Sequence, residues 1–151
     1  MKKPNAHLLL LAGVLLGGRV RATDTRHEDP LSLATRYLKA REATMQATAG
    51  PADVDKALSY CLPSLIYEHP RVGVRLTALD SIREGMLSFL GSSRSASIKV
   101  VASLPGVEMV AVQTDVAFEA QDGTKWQAVR RQQVWVFEFE GSKIKRIIEY
   151  W

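Results

Sequence analysis

The chain reads as an α+β domain in which helices come first and an antiparallel sheet follows. From Ser97 to Trp151, alternating apolar and polar residues form four strand-like segments. Short turn sequences part them, at Pro105-Gly106, Asp122-Gly123 and Glu140-Gly141-Ser142, and this pattern predicts a β-meander with tight hairpins. Three helix-like segments precede the meander. Each has one apolar stripe to bury, so they are expected to pack on one face of a curved sheet.

The first residues have another purpose. Lys2 and Lys3 give a positive start, Leu8 to Gly18 is an apolar stretch of eleven residues, and Val20-Arg21-Ala22 presents small or β-branched residues where a signal peptidase reads. This is the pattern of a secretory signal peptide over residues 1–22, cleaved after Ala22. Eleven residues are too few for a membrane span, which needs about 20, so no membrane partner is expected once the signal is gone. No cysteine follows the stretch to accept a lipid. The sole cysteine, Cys61, excludes an internal disulfide and reads as a small buried apolar residue.

The net charge of +4 comes from 20 Lys and Arg against 16 Asp and Glu. Lys2, Lys3, Arg19 and Arg21 all lie in residues 1–22, which hold no acid. The remainder is formally neutral, which gives no argument for a nucleic acid partner. Residues 23–30 read as a flexible lead-in and 31–151 as one domain, long enough to bury roughly two-thirds of its unfolded surface.

Leu31 to Thr48 is the first expected helix. Leu33, Tyr37, Leu38 and Met45 fall near one face, Pro30 stands before it and Gly50-Pro51 ends it. Asp53 is suited to cap a second helix running through Leu62 and stopped by Pro63. Ser64 to Glu68 reads as a short strand ended by His69-Pro70, and Arg71 to Leu76 as a loop or brief hairpin around Gly73. Asp80 or Thr77 is suited to cap a third helix through Leu90, with Gly91 as its C-cap. Ser92 to Ser97 reads as a polar linker. In the strands, Val110, Val112, Thr114, Val116 and Phe118 share a face, as do Arg131, Gln133, Trp135, Phe137 and Phe139. The final strand sets Lys145, Ile147, Glu149 and Trp151 against Ile144, Arg146, Ile148 and Tyr150. Both of its faces are mixed, so alternation leaves the inner one open.

Three stretches in order carry a family resemblance: RYL at 36–38, YEHP at 67–70 followed by TALDSIREGM, and the closing VFEFEGSKIKRIIEYW. Together they resemble the nuclear-transport-factor-2-like superfamily in its SnoaL-like and ketosteroid-isomerase-like branch, over about residues 31–151. The resemblance implies a cone, a strongly curved antiparallel sheet wrapped around the N-terminal helices with a pocket at the open end. It also implies that Val116, Phe118, Gln133, Trp135, Phe137, Glu149 and Trp151 lie on the concave side. Ketosteroid isomerases use an Asp base with an oxyanion hole of Tyr and protonated Asp. Tyr37 falls where the family places that tyrosine. His69 takes the place of the base, and Trp135 the place of the second acid. Those departures speak against steroid isomerisation.

The chemistry left is coherent. A histidine suits acid–base work at neutral pH, which fits His69, with Tyr37 and Gln133 polarising a carbonyl, Arg131 holding a carboxylate or enolate, and Glu149 orienting His69 or acting as a second acid or base. The same residues have plain structural readings. His69 can be a hydrogen-bonded strand end, Tyr37 packing, Trp135 and Trp151 core or pocket wall, and Arg131 with Glu149 an ion pair across neighbouring strands. His7 and His27 lie before the folded part, and GSSRS at 91–95 is no phosphate loop, so no metal or cofactor is expected. Three functions remain open. The first is an exported, periplasmic or secreted protein binding a small, largely apolar molecule. The second is a proton-transfer enzyme (isomerase, cyclase or dehydratase). The third is a homodimeric interaction module using the face of Trp126, Val134, Val136 and Ile148.

The N-terminal pattern gives a direct expectation. The exported protein begins at Thr23, as intact mass or N-terminal sequencing will show; a mature form still carrying Leu8 to Gly18 is incompatible with it.

Overall fold

The computed structural model describes residues 29–151, and the signal-peptide and most of the lead-in assignments lie outside them. Helix α1, Pro30–Ala43, begins as the sequence suggests. Asp29 is its N-cap, accepting from Ser32 N at 3.0 Å, and Pro30 occupies the first turn, where no amide is needed. Leu33, Ala34, Tyr37, Leu38 and Ala40 form its buried stripe. The helix ends earlier than the expected Thr48. Thr44 Oγ1 donates to Arg41 O and accepts from Arg41 Nη1, both at 2.7 Å, and such local bonding competes with helix propagation.

Helix α2 spans Pro51–Leu58. Asp53 is not its cap but sits inside the first turn and reaches back, accepting from Gly50 N at 2.9 Å. The chain then enters strand β1, Cys61–His69, three residues before the expected start. Pro63 does not end a helix; it is tolerated because the β1 ladder is interrupted between Cys61 and Ile66. A single 3₁₀ turn over Pro70–Val72 and the left-handed Gly73, φ +70°, lead into β2, Val74–Leu76. Helix α3, Leu79–Ser88, follows with Ile82 and Met86 buried; its N-cap is Ala78, which offers no side-chain bond.

The meander is β3 (Ser93–Gly106), β4 (Met109–Asp122), β5 (Lys125–Glu140) and β6 (Lys143–Tyr150). The expected linker at 92–97 is already strand from Ser93, with an irregularity around Ser95, whose φ is +56°. The first hairpin turns at Val107-Glu108, not at Pro105-Gly106, since Pro105 pairs with Val110 and Gly106 with Met109. β3 is an edge strand, where a missing proline amide removes no necessary bond. The other two turns fall at Gly123-Thr124 and Gly141-Ser142, and both glycines have φ +59°, as two-residue hairpins of this hand require.

The sheet order is β2-β1-β6-β5-β4-β3. All neighbours are antiparallel except β1 and β6, which run parallel with Tyr67 opposite Ile147. The sheet is antiparallel as expected but for this one neighbour, because the last strand inserts between the meander and the β1–β2 hairpin. A register shift in β6 resolves the ambiguous alternation. Glu138 faces Arg146 and Phe139 faces Ile144, leaving Lys145 as an extra residue. Such a bulge switches the side-chain phase, so Ile144, Ile147 and Glu149 all lie buried on one side.

The helices cover that inner face. Phe137 meets Tyr37 at 5.6 Å and 69° and stacks between Trp135 and Phe139. The end of α1 and the turn after it are tied to β3 by polar bonds: Glu42 Oε2 accepts from Ile98 N at 2.7 Å, and Gln46 Nε2 donates to Ala96 O at 2.8 Å.

Candidate functional site

Inner-face side chains change from apolar to polar along the sheet. Val110 and Val112 on β4 are followed by Thr114, Phe137 and Trp135 on β5 are followed backwards by Gln133 and Arg131, and Ile147 on β6 by Glu149. Register aligns them, Val112 with Trp135, Thr114 with Gln133, Val116 with Arg131, and Trp135 with Glu149. Thr114, Gln133 and Glu149 are all buried, so each must find partners within the protein.

Between this polar end and α1 lies a small, partly open cavity of about 40 Å³. Val116, Arg131, Gln133, Trp135 and Glu149 line it from the sheet, Ile98 from β3, and Arg41 and Met45 from α1 and the turn after it. Trp135 forms wall and core at once, at 2% exposure. Its Nε1 donates to Thr114 Oγ1 at 3.2 Å and is thereby spent.

Glu149 is the hub. Tyr67 Oη donates to Oε2 at 2.6 Å and Trp151 Nε1 donates to Oε1 at 2.8 Å. The Gln133 amide stands between Glu149 and Arg131. With its nitrogen toward Glu149 it donates to Oε1 at 3.3 Å; with its oxygen there instead, it accepts from Arg131 Nε and Nη2 at 3.0 Å each. Two shorter contacts to a cation favour the second orientation. Burial, and then the nearby Glu149 charge, push the Tyr67 hydroxyl above its ordinary range.

Arg131 and Glu149 do not form the ion pair that neighbouring strands suggested. The guanidinium lies instead over the Trp151 ring, 3.7 Å from its centroid, with Phe118 at 5.5 Å. Burial pushes Arg131 below its usual range while Glu149 opposes that shift. Among the described residues neither Arg131 nor Arg41 has an ion-pair partner; Arg41 donates to Thr44.

Tyr37 and His69 are elsewhere. Tyr37 is buried against Phe137, and burial pushes its hydroxyl above the ordinary range. His69, only 4% exposed, has a hydrogen-bond partner on neither ring nitrogen and meets Trp151 edge to face at 4.5 Å. Of Tyr37, His69 and Gln133, only Gln133 lines the cavity. Phe118 is half-buried and Trp151 is 39% exposed; neither lines the cavity, and both lie against Arg131, which does. Glu68 points to the other face, where it accepts from Arg146 at 2.6 Å and pairs with Arg75 at 3.1 Å. Sequence reasoning missed Arg41 and Tyr67 as site residues. Arg41 lies one helical turn beyond Tyr37, and Tyr67 shares a strand face with His69, so the signal was positional.

Solved structures share this architecture. An uncharacterized cystatin-fold protein from Novosphingobium aromaticivorans superposes with a TM-score of 0.65 at 20% identity, covering 81% of this chain and 97% of its own. A putative SnoaL-like polyketide cyclase from Shewanella putrefaciens gives 0.68 at 10% identity over 93% and 90%. A nuclear-transport-factor-2-like protein of unknown function from Burkholderia pseudomallei gives 0.64 at 12% identity over 81% and 89%. Neither a protein-family model nor a curated protein matches the sequence. The fold is nuclear-transport-factor-2-like, with SnoaL-like and ketosteroid-isomerase-like neighbours. At these identities the likeness speaks of fold, and fold does not carry function.

The buried thiol behind Tyr37 offers a test of the packing. Burial pushes Cys61 up to about 12, against about 8.5 for an unfolded thiol. Above about pH 8.5 the unfolded chain releases this proton while the folded chain keeps it, so stability falls as pH rises toward 12. Thermal unfolding at pH 8 and 10.5 should show that fall, flattened in Cys61→Ala. A native protein whose thiol reacts rapidly at pH 8 contradicts it.

Proposed function

We propose that this domain binds a small molecule with an anionic group on a flat apolar body, seated between Arg41 and Arg131. The observation that carries the reading is the charge of the lining. Two guanidiniums without ion-pair partners among the described residues face a cavity with one carboxylate, Glu149, whose oxygens already accept from Tyr67 and Trp151. A partly desolvated cation gains most from an anionic partner. Val116 and Trp135, expected from the sequence, supply apolar contacts together with Met45 and Ile98. The ligand is thus amphiphilic, not merely apolar. If residues 1–22 are a signal peptide, it is met outside the cytoplasm. No turnover is assigned, because neither His69 nor Tyr37 borders the cavity.

The test uses 1-naphthoate and its neutral counterpart 1-naphthalenemethanol in titration calorimetry. Naphthoate should bind, the alcohol should not, and Arg131→Met should weaken naphthoate at least tenfold, about 1.4 kcal/mol. Equal binding of the alcohol, or indifference to both Arg131→Met and Arg41→Met, overturns the reading.

A second reading is favoured by the outer sheet face. Leu104, Ala111, Val136 and Ile148 stand opposite one another across β3, β4, β5 and β6, and Val134 faces Tyr150 in an adjoining row. Leu104, Val134 and Tyr150 are exposed, and Glu138, Arg146 and Glu68 form a charged border beside them. Such a framed apolar stripe suits a two-fold pairing of copies. Sedimentation should show a dimer that Val134→Glu converts to a monomer. A monomer at about 100 μM, where a pairing with a Kd of about 1 μM would be largely dimeric, disposes of this reading.

A further inference from the structure

Trp151 follows β6 and lies outside its ladder, yet its side chain engages Glu149 and Arg131, which line the cavity, and His69, which does not. The indole N–H donates to Glu149 Oε1 at 2.8 Å. Arg131 lies over one ring face, 3.7 Å from the centroid. His69 meets the ring edge to face at 4.5 Å and 84°. These are the contacts a binding site makes with an aromatic ligand: a cation over the electron-rich face, an aromatic at right angles and an acceptor for the ring's one donor. Trp151 as a residue is also 39% exposed, so the niche lies at the surface of the domain.

We propose that Trp151 is a displaceable occupant standing in for a ligand, and that the niche between Arg131, His69 and Glu149 takes a flat aromatic ring bearing an N–H or O–H donor. His69 supplies the second, independent observation. It is 4% exposed, and neither Nδ1 nor Nε2 has a hydrogen-bond partner. Buried polar atoms normally do, and Trp151, whose single donor is spent on Glu149, leaves both empty.

A tethered side chain has a high effective concentration, so a free ring displaces it only by making contacts that the indole lacks. Two such contacts are at hand: a polar substituent reaching a His69 nitrogen, and a group extending toward Arg41. Arg131 and Glu149 belong to both places, since each lines the cavity and each holds Trp151. The niche and the cavity are therefore two halves of one site. This also accounts for the cavity's size. About 40 Å³ accommodates water, whereas ligand pockets run to roughly 300–1,000 Å³. The proposal rests on reading the cavity as a ligand seat and adds the chemistry of the ring.

The experiment removes the occupant and offers its equivalent. Indole should bind Trp151→Gly at least tenfold more tightly than it binds the unsubstituted protein, and 1-methylindole, which lacks the donor, should bind the variant at least tenfold more weakly than indole. Failure of indole to bind the folded variant, or equal binding of 1-methylindole, overturns the proposal; equal binding would mean that the substitution opened only an apolar hole. Should Trp151→Gly not fold, the unsubstituted protein labelled with 5-fluorotryptophan decides. Saturating indole-3-acetate, which keeps the ring donor and adds a carboxylate able to extend toward Arg41, should move the Trp151 fluorine resonance to a solvent-exposed position, and an unmoved resonance refutes displacement. Naphthoate keeps the two readings apart. Indole binding without naphthoate binding overturns the anion seat and leaves the niche, and naphthoate binding without indole binding does the reverse.

Discussion

A carboxylate buried on the inner face of the sheet governs the polar end of this fold. Glu149 is 6% exposed, and a charge taken out of water is tolerable only when its oxygens are filled by well-placed donors. Tyr67 reaches it from β1 and Trp151 from beyond β6, while Gln133 stands between it and Arg131. The Tyr67 bond is possible only because β1 lies beside β6 in parallel register, which places Tyr67 next to Ile147. The Gln133 contact depends on the β5–β6 register that pairs Trp135 with Glu149. A slip of one residue in the β1–β6 ladder would take Tyr67 from the carboxylate, and one in the β5–β6 ladder would take Gln133 from its place between Glu149 and Arg131. The polar cluster thus fixes strand alignment in a region where valines and isoleucines alone would accept several.

Much of the architecture was legible in the residues. Alternation and glycine turns gave the four meander strands, and the order of helices before sheet gave the layers. Each miss has a local cause. α1 ends at Ala43 because Thr44 turns its hydroxyl onto the Arg41 carbonyl, a competition that apolar periodicity does not register. Pro63 looked like a helix stop and sits instead in a gap of the β1 ladder. The parallel neighbour of β1 is a long-range choice, invisible in a window of ten residues. The bulge at Lys145 lies behind the mixed faces of β6: a period-2 pattern with one inserted residue reads as no pattern.

The candidate site divides along the same line. Val116, Arg131, Gln133, Trp135 and Glu149 come together because strand alternation and hairpin register are short-range facts. Tyr37 and His69 do not join them, because strand and helix patterns give a side chain's face and not its reach. Tyr37 is spent on Phe137 and His69 on Trp151. Arg41 escaped notice as an ordinary helical cation until its helix was laid across the sheet. Its importance follows from its having no ion-pair partner among the described residues, and no sequence pattern reports that.

The parallel pairing of β1 with β6 also sets an order of events at the ribosome. Glu68 and Arg146 are separated by 78 residues, so β1 is synthesised long before the strand that completes it. At roughly 5–20 residues per second, the early helices and the β1–β2 hairpin wait several seconds with one edge open and their apolar stripes uncovered. Closure across so long a loop comes late and slowly. For those seconds the nascent chain offers Leu65, Ile66 and Tyr67 as an unpaired strand, the kind of segment that holding chaperones recognise.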